Sequence, residues 1–148
     1  MASERTLELI FSVTTLMATA GWLALIFGYR WSPLKRVLTW GLIPLLLAIA
    51  YLVLLLTQHN TQGGLTSLAE MAKLLQNKQV ILTFWVHSLA FDLFVGTWET
   101  YDAQINKVPH LLVVPALLLT FMFGPVGLGL YFLIRSAYRR EAMFSKLA

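Results

Sequence analysis

The stretch VILTFWVHSLAFDLFVGTW, Val80 to Trp98, decides how the rest of the chain is read. As an α-helix, an apolar run of this length reaches across the hydrocarbon core of a bilayer, yet it carries His87 and Asp92 near its middle. An ionisable side chain at that depth costs roughly 2.5 to 3.5 kcal/mol even on lenient insertion scales. Such groups therefore mark proton relays, polar pockets, cofactor ligands or interhelical hydrogen bonds.

Outward from this segment, the chain of 148 residues is 58% hydrophobic and 12% charged, with a mean hydropathy of +0.72. Those values describe a small integral membrane protein rather than a soluble domain. Leu7 to Gly28, Leu38 to Thr57 and Leu111 to Ile134 also approach the roughly 20 residues of a span. The expected fold is all-α: one domain over residues 1–148, an integral membrane bundle of four transmembrane helices. Between spans two and three, Leu65, Leu68, Met71 or Ala72, and Leu75 recur at helical spacing and predict a short interfacial helix. Tyr29 to Val37 reads as a tight basic turn, with Trp31 and Trp40 at headgroup level and Pro33 stopping the helix. Span one is not read as a signal peptide, because Glu4 and Glu8 occupy what would be its basic region.

Cysteine is absent, which excludes disulfides, thiolate nucleophiles and iron–sulfur clusters. With four spans, both termini and the middle loop share one face, which carries Arg5, Lys73, Lys78, Arg135, Arg139, Arg140 and Lys146. The other face has Arg30, Lys35, Arg36 and Lys107, so the positive-inside rule predicts cytoplasmic termini. The basic tail reads as a topology determinant and a contact for membrane lipid, with no nucleic-acid partner.

Helical periodicity divides the third span into two stripes. Ser88, Asp92, Val95 or Gly96, and Glu99 make one polar face. Phe84, His87, Phe91, Phe94, Trp98 and Tyr101 make an aromatic face roughly 120 degrees away, suited to holding a flat apolar ligand or to ordinary packing. In the first span, Glu8, Ser12, Thr15, Thr19 and Trp22 share a face, with Thr15 at the depth of Ser88 and Thr19 at that of Asp92. These faces are expected to line a shared cavity, unless the hydroxyls bond only their own helix. The fourth span contains Pro115 and the run Gly124-Pro125-Val126-Gly127-Leu128-Gly129, where the backbone can bend and approach a neighbour or a ligand closely.

No phosphate loop, HExxH, EF-hand or nucleophile elbow is present. His59, His87 and His110 are scattered, so no metal or other cofactor is expected. Acid–base work remains, with Asp92 and His87 as proton donor and acceptor and Glu99 as a further candidate. Because Asp92 and His87 stand about 140 degrees apart around the helix, they flank a large ligand or belong to separate networks.

The block Trp85 to Trp98, with Asp102, Pro109, Pro115, Gly124 to Leu128 and Arg135, resembles the abscisic-acid-deficient-four-like family, whose plant members are associated with neoxanthin synthesis in plastids. One departure is Thr97, where the family commonly has Arg before the tryptophan. The resemblance implies a redox-neutral carotenoid reaction of isomerase type, in which an epoxide end group opens while a proton leaves the adjacent polyene carbon. In that scheme Asp92 is the acid and His87 the base, with Glu99 a further partner. Phe84, Phe91, Phe94 and Trp98 line the polyene slot, and Ser88, Thr15, Thr19 and Gly124 complete the binding site. Lacking an evident transit segment, the chain fits a bacterial inner-membrane member acting on another carotenoid or isoprenoid. Two other classes stay open: a non-catalytic pigment- or lipid-binding subunit or assembly factor of a larger complex, and a transporter, which would require a homo-oligomer.

Overall fold

A computed structural model describes residues 3–27, 41–58 and 61–144. Among them it has six helices and no strand: α1 (Glu4–Phe27), α2 (Ile43–Leu56), α3 (Leu68–Leu74), α4 (Lys78–Ile105), α5 (His110–Phe123) and α6 (Pro125–Phe144). The expected turn Tyr29 to Val37, Trp40, the start of span two at Leu38, and His59 lie outside the described residues. The short helix expected between spans two and three appears as α3, capped where the Ser67 side chain accepts from the Glu70 amide, and none of its residues is buried.

α4 is the central element, packed against α1, α2, α5 and α6. Asn77 caps its start by accepting from the Gln79 and Val80 amides. Val86, Leu89, Leu93, Gly96 and Glu99 are among its buried residues, on more than one face, because it has neighbours on several sides. α1 runs parallel to it and buries a single stripe of Thr14, Ala18, Gly21, Trp22 and Leu25. Close approach there depends on small residues. A methyl group placed on Gly96 would lie 2.5 Å from the Trp22 ring, and one on Gly21 would lie 2.9 Å from Leu93. α2 runs the opposite way, and its end is fastened to the start of α4. Gln58 donates to Thr83 Oγ1 at 2.8 Å, and Gln79 donates to the Leu54 carbonyl at 3.1 Å and Thr57 Oγ1 at 3.0 Å.

The expected fourth span, Leu111 to Ile134, is not one helix. Gly124, with φ +43 and ψ −96, ends α5, and Pro125 starts α6 at a position where no backbone N–H is required. Along α5 the partners on α4 descend: Thr120 lies at Glu99 and Gly124 at Asp92. Along α6 they ascend again, with Tyr131 against Trp98 and Asp102 and with Arg135 at Asp102. The two helices form a hairpin that folds back at the midpoint of α4. Gly127 allows them to close, since a Cβ there would fall 2.0 Å from the Thr120 nitrogen.

This reversal corrects the expected placement of the termini. Glu4 pairs with Lys78, so the N-terminus sits at the same end as the segment 61–77, whereas α6 leaves by the end where α4 finishes. α1 and α4 are long and apolar enough to cross a membrane; α2 and α5, 14 residues each, are shorter apolar helices.

Gly96→Ala is expected to destabilise the fold by about 1 to 3 kcal/mol, because Trp22 must move off its rotamer to make room. Gly129→Ala, also inside a helix but with nothing within 4 Å of the new methyl, serves as the control and should leave thermal unfolding in detergent unchanged or slightly raised.

Candidate functional site

The hairpin tip closes one end of a cleft of about 410 Å³ between α1 and α4. Thr15 and Thr19 line it from α1, Ser88 and Asp92 from α4, and Phe121 to Pro125 from the tip. Thr15 and Thr19 are four residues apart on α1, and Ser88 and Asp92 four apart on α4, so each pair faces the same way from successive turns. Thr19 donates to the Thr15 carbonyl at 2.8 Å, which leaves its oxygen lone pairs available to the cleft. Trp85 Nε1 donates to Thr15 Oγ1 at 3.0 Å and ties the two helices across the cleft floor.

Asp92 is half-buried, and among the described residues no side chain hydrogen-bonds its carboxylate. A Cβ on Gly124 would lie 2.8 Å from Asp92 Oδ1, so a larger residue at the tip would strain the positive φ and push the Asp92 carboxyl aside. Two physical features favour a polar occupant. The start of α6 directs the positive end of its dipole toward Asp92. The last carbonyls of α5 have no helical donors beyond the Gly124 amide, which bonds Thr120 at 2.9 Å. Non-helical backbone within a bilayer is tolerated where protein buries it or where it lines a cavity that can hold water, and this tip lines the cleft.

The other sequence-derived candidates lie elsewhere. His87 is exposed and packs between Tyr51 and Phe91, at centroid distances of 5.4 and 4.6 Å, on a different face of α4 from Asp92. Phe84, Phe91 and Phe94 are exposed on the outside of the bundle, so the aromatic stripe does not line the cleft. Trp98 packs edge-on against Tyr131 at 5.7 Å and is committed to the α4–α6 contact. The physical reason is the five-residue offset between His87 and Asp92: α2 covers the flank bearing His87, while α1 and the tip enclose the flank bearing Asp92.

Glu99 belongs to a separate buried network. Its side chain is fully inaccessible, Thr120 Oγ1 donates to Oε1 at 2.9 Å, and Oε2 has no hydrogen-bond partner. One turn further on, Asp102 accepts from the Tyr131 hydroxyl and lies 3.1 Å from Arg135 Nε, an ion pair without hydrogen-bond alignment. No Arg precedes Trp98 here; Thr97 bonds the Leu93 carbonyl of its own helix, and the arginine paired with a carboxylate comes from α6. Sequence reasoning did not group these residues. The signal was the three-residue step from Glu99 to Asp102 facing the four-residue step from Tyr131 to Arg135.

The profile of a family described as ABA4-like, or ABA DEFICIENT 4-like, matches residues 9–131, a range that includes every residue lining the cleft. No curated protein and no solved structure matches the chain.

Thr120→Val removes the donor to Glu99 and leaves a buried carboxyl group with no partner on either oxygen. A loss of about 1 to 3 kcal/mol is expected from thermal unfolding in detergent, whereas Thr120→Ser, which keeps the hydroxyl, should retain most of that stability.

Proposed function

The chain belongs to the ABA4-like family, and on that premise we propose that it takes the oxygenated end group of a carotenoid or related isoprenoid into the cleft beneath Gly124 and isomerises it there by acid–base catalysis. The observation that carries this reading is the placement of Asp92 in a cleft of about 410 Å³ whose other polar groups are neutral hydroxyls. A neutral epoxide or hydroxyl oxygen fits that donor and acceptor set. Asp92 in its acid form delivers a proton to the epoxide oxygen as the C–O bond breaks. The resulting carboxylate then takes the proton from the neighbouring polyene carbon, so no water, oxidant or reductant is consumed. One carboxyl serves as acid and then as base, which accommodates the position of His87 outside the cleft. A second reading, binding of the same end group without turnover, draws support from the cleft having a single titratable side chain.

The hairpin, with the distribution of basic residues, supports one orientation in the membrane. Counted by the connection or terminus to which the sequence assigns them, Arg30, Lys35, Arg36, Lys107, Arg135, Arg139, Arg140 and Lys146 go with the end where α4 finishes. Arg5, Lys73 and Lys78 fall at the other. Eight of the 11 basic residues then share one side, a sharper division than four full spans would give. The positive-inside rule places the C-terminus in the cytoplasm and the N-terminus outside. The α5–α6 hairpin thus enters and leaves the bilayer from the cytoplasmic side.

With an epoxidised xanthophyll as substrate, folded Asp92→Asn should lose turnover by at least about 100-fold while retaining substrate affinity. Undiminished turnover in that variant removes the catalytic role of Asp92, and wild-type protein that binds the xanthophyll without converting it establishes the binding reading instead.

Reporter fusions give the topology test. A fusion at Ala148 is expected to report the cytoplasm and an insertion within residues 61–64 the opposite side. Both sites on one side would refute the hairpin arrangement in the membrane.

A further inference from the structure

We infer that the cleft beneath Gly124 is the closed end of a longer trough along the α1–α4 seam, divided by Trp85, and that the trough holds the apolar chain of a linear isoprenoid with a neutral oxygenated head. The inference rests on the reading of the cleft given above and extends it to the remainder of the ligand. A second cavity of about 350 Å³ lies at the start of α1 and α4, walled by Leu7, Phe11 and Ile81, with Glu4, Glu8 and Lys78 at its mouth. Trp85 lines both cavities. On α1 the lining residues Glu4, Glu8, Phe11, Thr15 and Thr19 advance by three or four, and on α4 Lys78, Ile81, Trp85, Ser88 and Asp92 do the same. Both rows therefore follow one continuous face of each helix. From Lys78 to Asp92 the seam runs about 21 Å at the helical rise of 1.5 Å per residue.

Trp85 closes the passage between the compartments. Its indole donates across the seam to Thr15 Oγ1 at 3.0 Å and packs on Phe11 at a centroid distance of 5.8 Å. The ring is 41% exposed, so rotating it outward breaks one hydrogen bond and displaces little of the core.

Charge selects the head group. No basic side chain lines the inner compartment, where Asp92 is the one titratable side chain. At the mouth Lys78 is paired with Glu4, and Glu8 adds a further negative charge. A phosphate head finds no cation to pair with in the inner compartment and a net negative mouth, whereas a neutral hydroxyl or epoxide oxygen can hydrogen-bond with Asp92, Thr19 or Ser88. A seam between two parallel helices also suits a single chain better than the paired acyl chains of a phospholipid.

The test uses tritiated geraniol and geranylgeraniol, which share a head group and differ in chain length, with full-length protein in nanodiscs. Wild type should bind geranylgeraniol at least tenfold more tightly than geraniol. Ile81→Trp, at a half-exposed position in the outer compartment, should abolish that advantage and leave geraniol binding within twofold. Equal affinities in wild type, or a chain-length advantage that survives Ile81→Trp, would overturn the trough while leaving the cleft as the head-group site. Binding of neither alcohol would overturn both the trough and the isoprenoid reading of the cleft. Displacement of geranylgeraniol by added phosphatidylglycerol would assign the trough to bilayer lipid and refute the proposed occupant.

Discussion

The reversal of the chain at Gly124 is the constraint on which the rest of the architecture depends. A positive φ, a Cβ-sized space occupied by Asp92, and a proline that begins the next helix coincide within two residues. Each favours a sharp stop and restart over a gentle bend. Once the reversal is made, α6 lies parallel to α4, and its polar residues reach carboxylates that a continuous helix would have carried them away from. Tyr131 and Arg135 meet Asp102 for this reason.

Two networks result, and they divide the work. At the tip, Asp92 lines an open cleft and accepts no hydrogen bond from a side chain among the described residues, a condition suited to a group that must exchange a proton with a ligand. Higher on α4, Glu99 and Asp102 are held by Thr120, Tyr131 and Arg135. Those contacts fix the depth and angle of the hairpin and hence where the tip falls relative to Asp92. Buried polar networks specify one arrangement to the extent that their members are satisfied. Here the remaining unsatisfied oxygen, Glu99 Oε2, is buried among them.

Small residues make the same division possible on the other side of α4. Gly96 admits the Trp22 ring and Gly21 admits Leu93, so α1 lies close alongside α4 at that level. Toward the start of the two helices the bulky Phe11 and Trp85 meet across the seam, and cavities open on both sides of their contact. Close packing above and open space below follow from where glycine and aromatic residues fall along two helices.

Composition and periodicity by themselves determined the helical class, the membrane-compatible length of α1 and α4, the short helix α3, and the shared depth of Thr15 with Ser88 and Thr19 with Asp92. These are local properties: hydropathy over a window and angular position on a helix whose rise is fixed. The sequence also flagged the Gly-Pro run, but an apolar stretch from Leu111 to Ile134 has the length of a span whether it is straight or folded in two. Only the tertiary structure decided between them, because the choice depends on which α4 residues the second half meets. The same holds for His87 and the aromatic stripe. Periodicity gave their angle relative to Asp92, and the positions of α1 and α2 around α4 determined which of the two faces became a cleft.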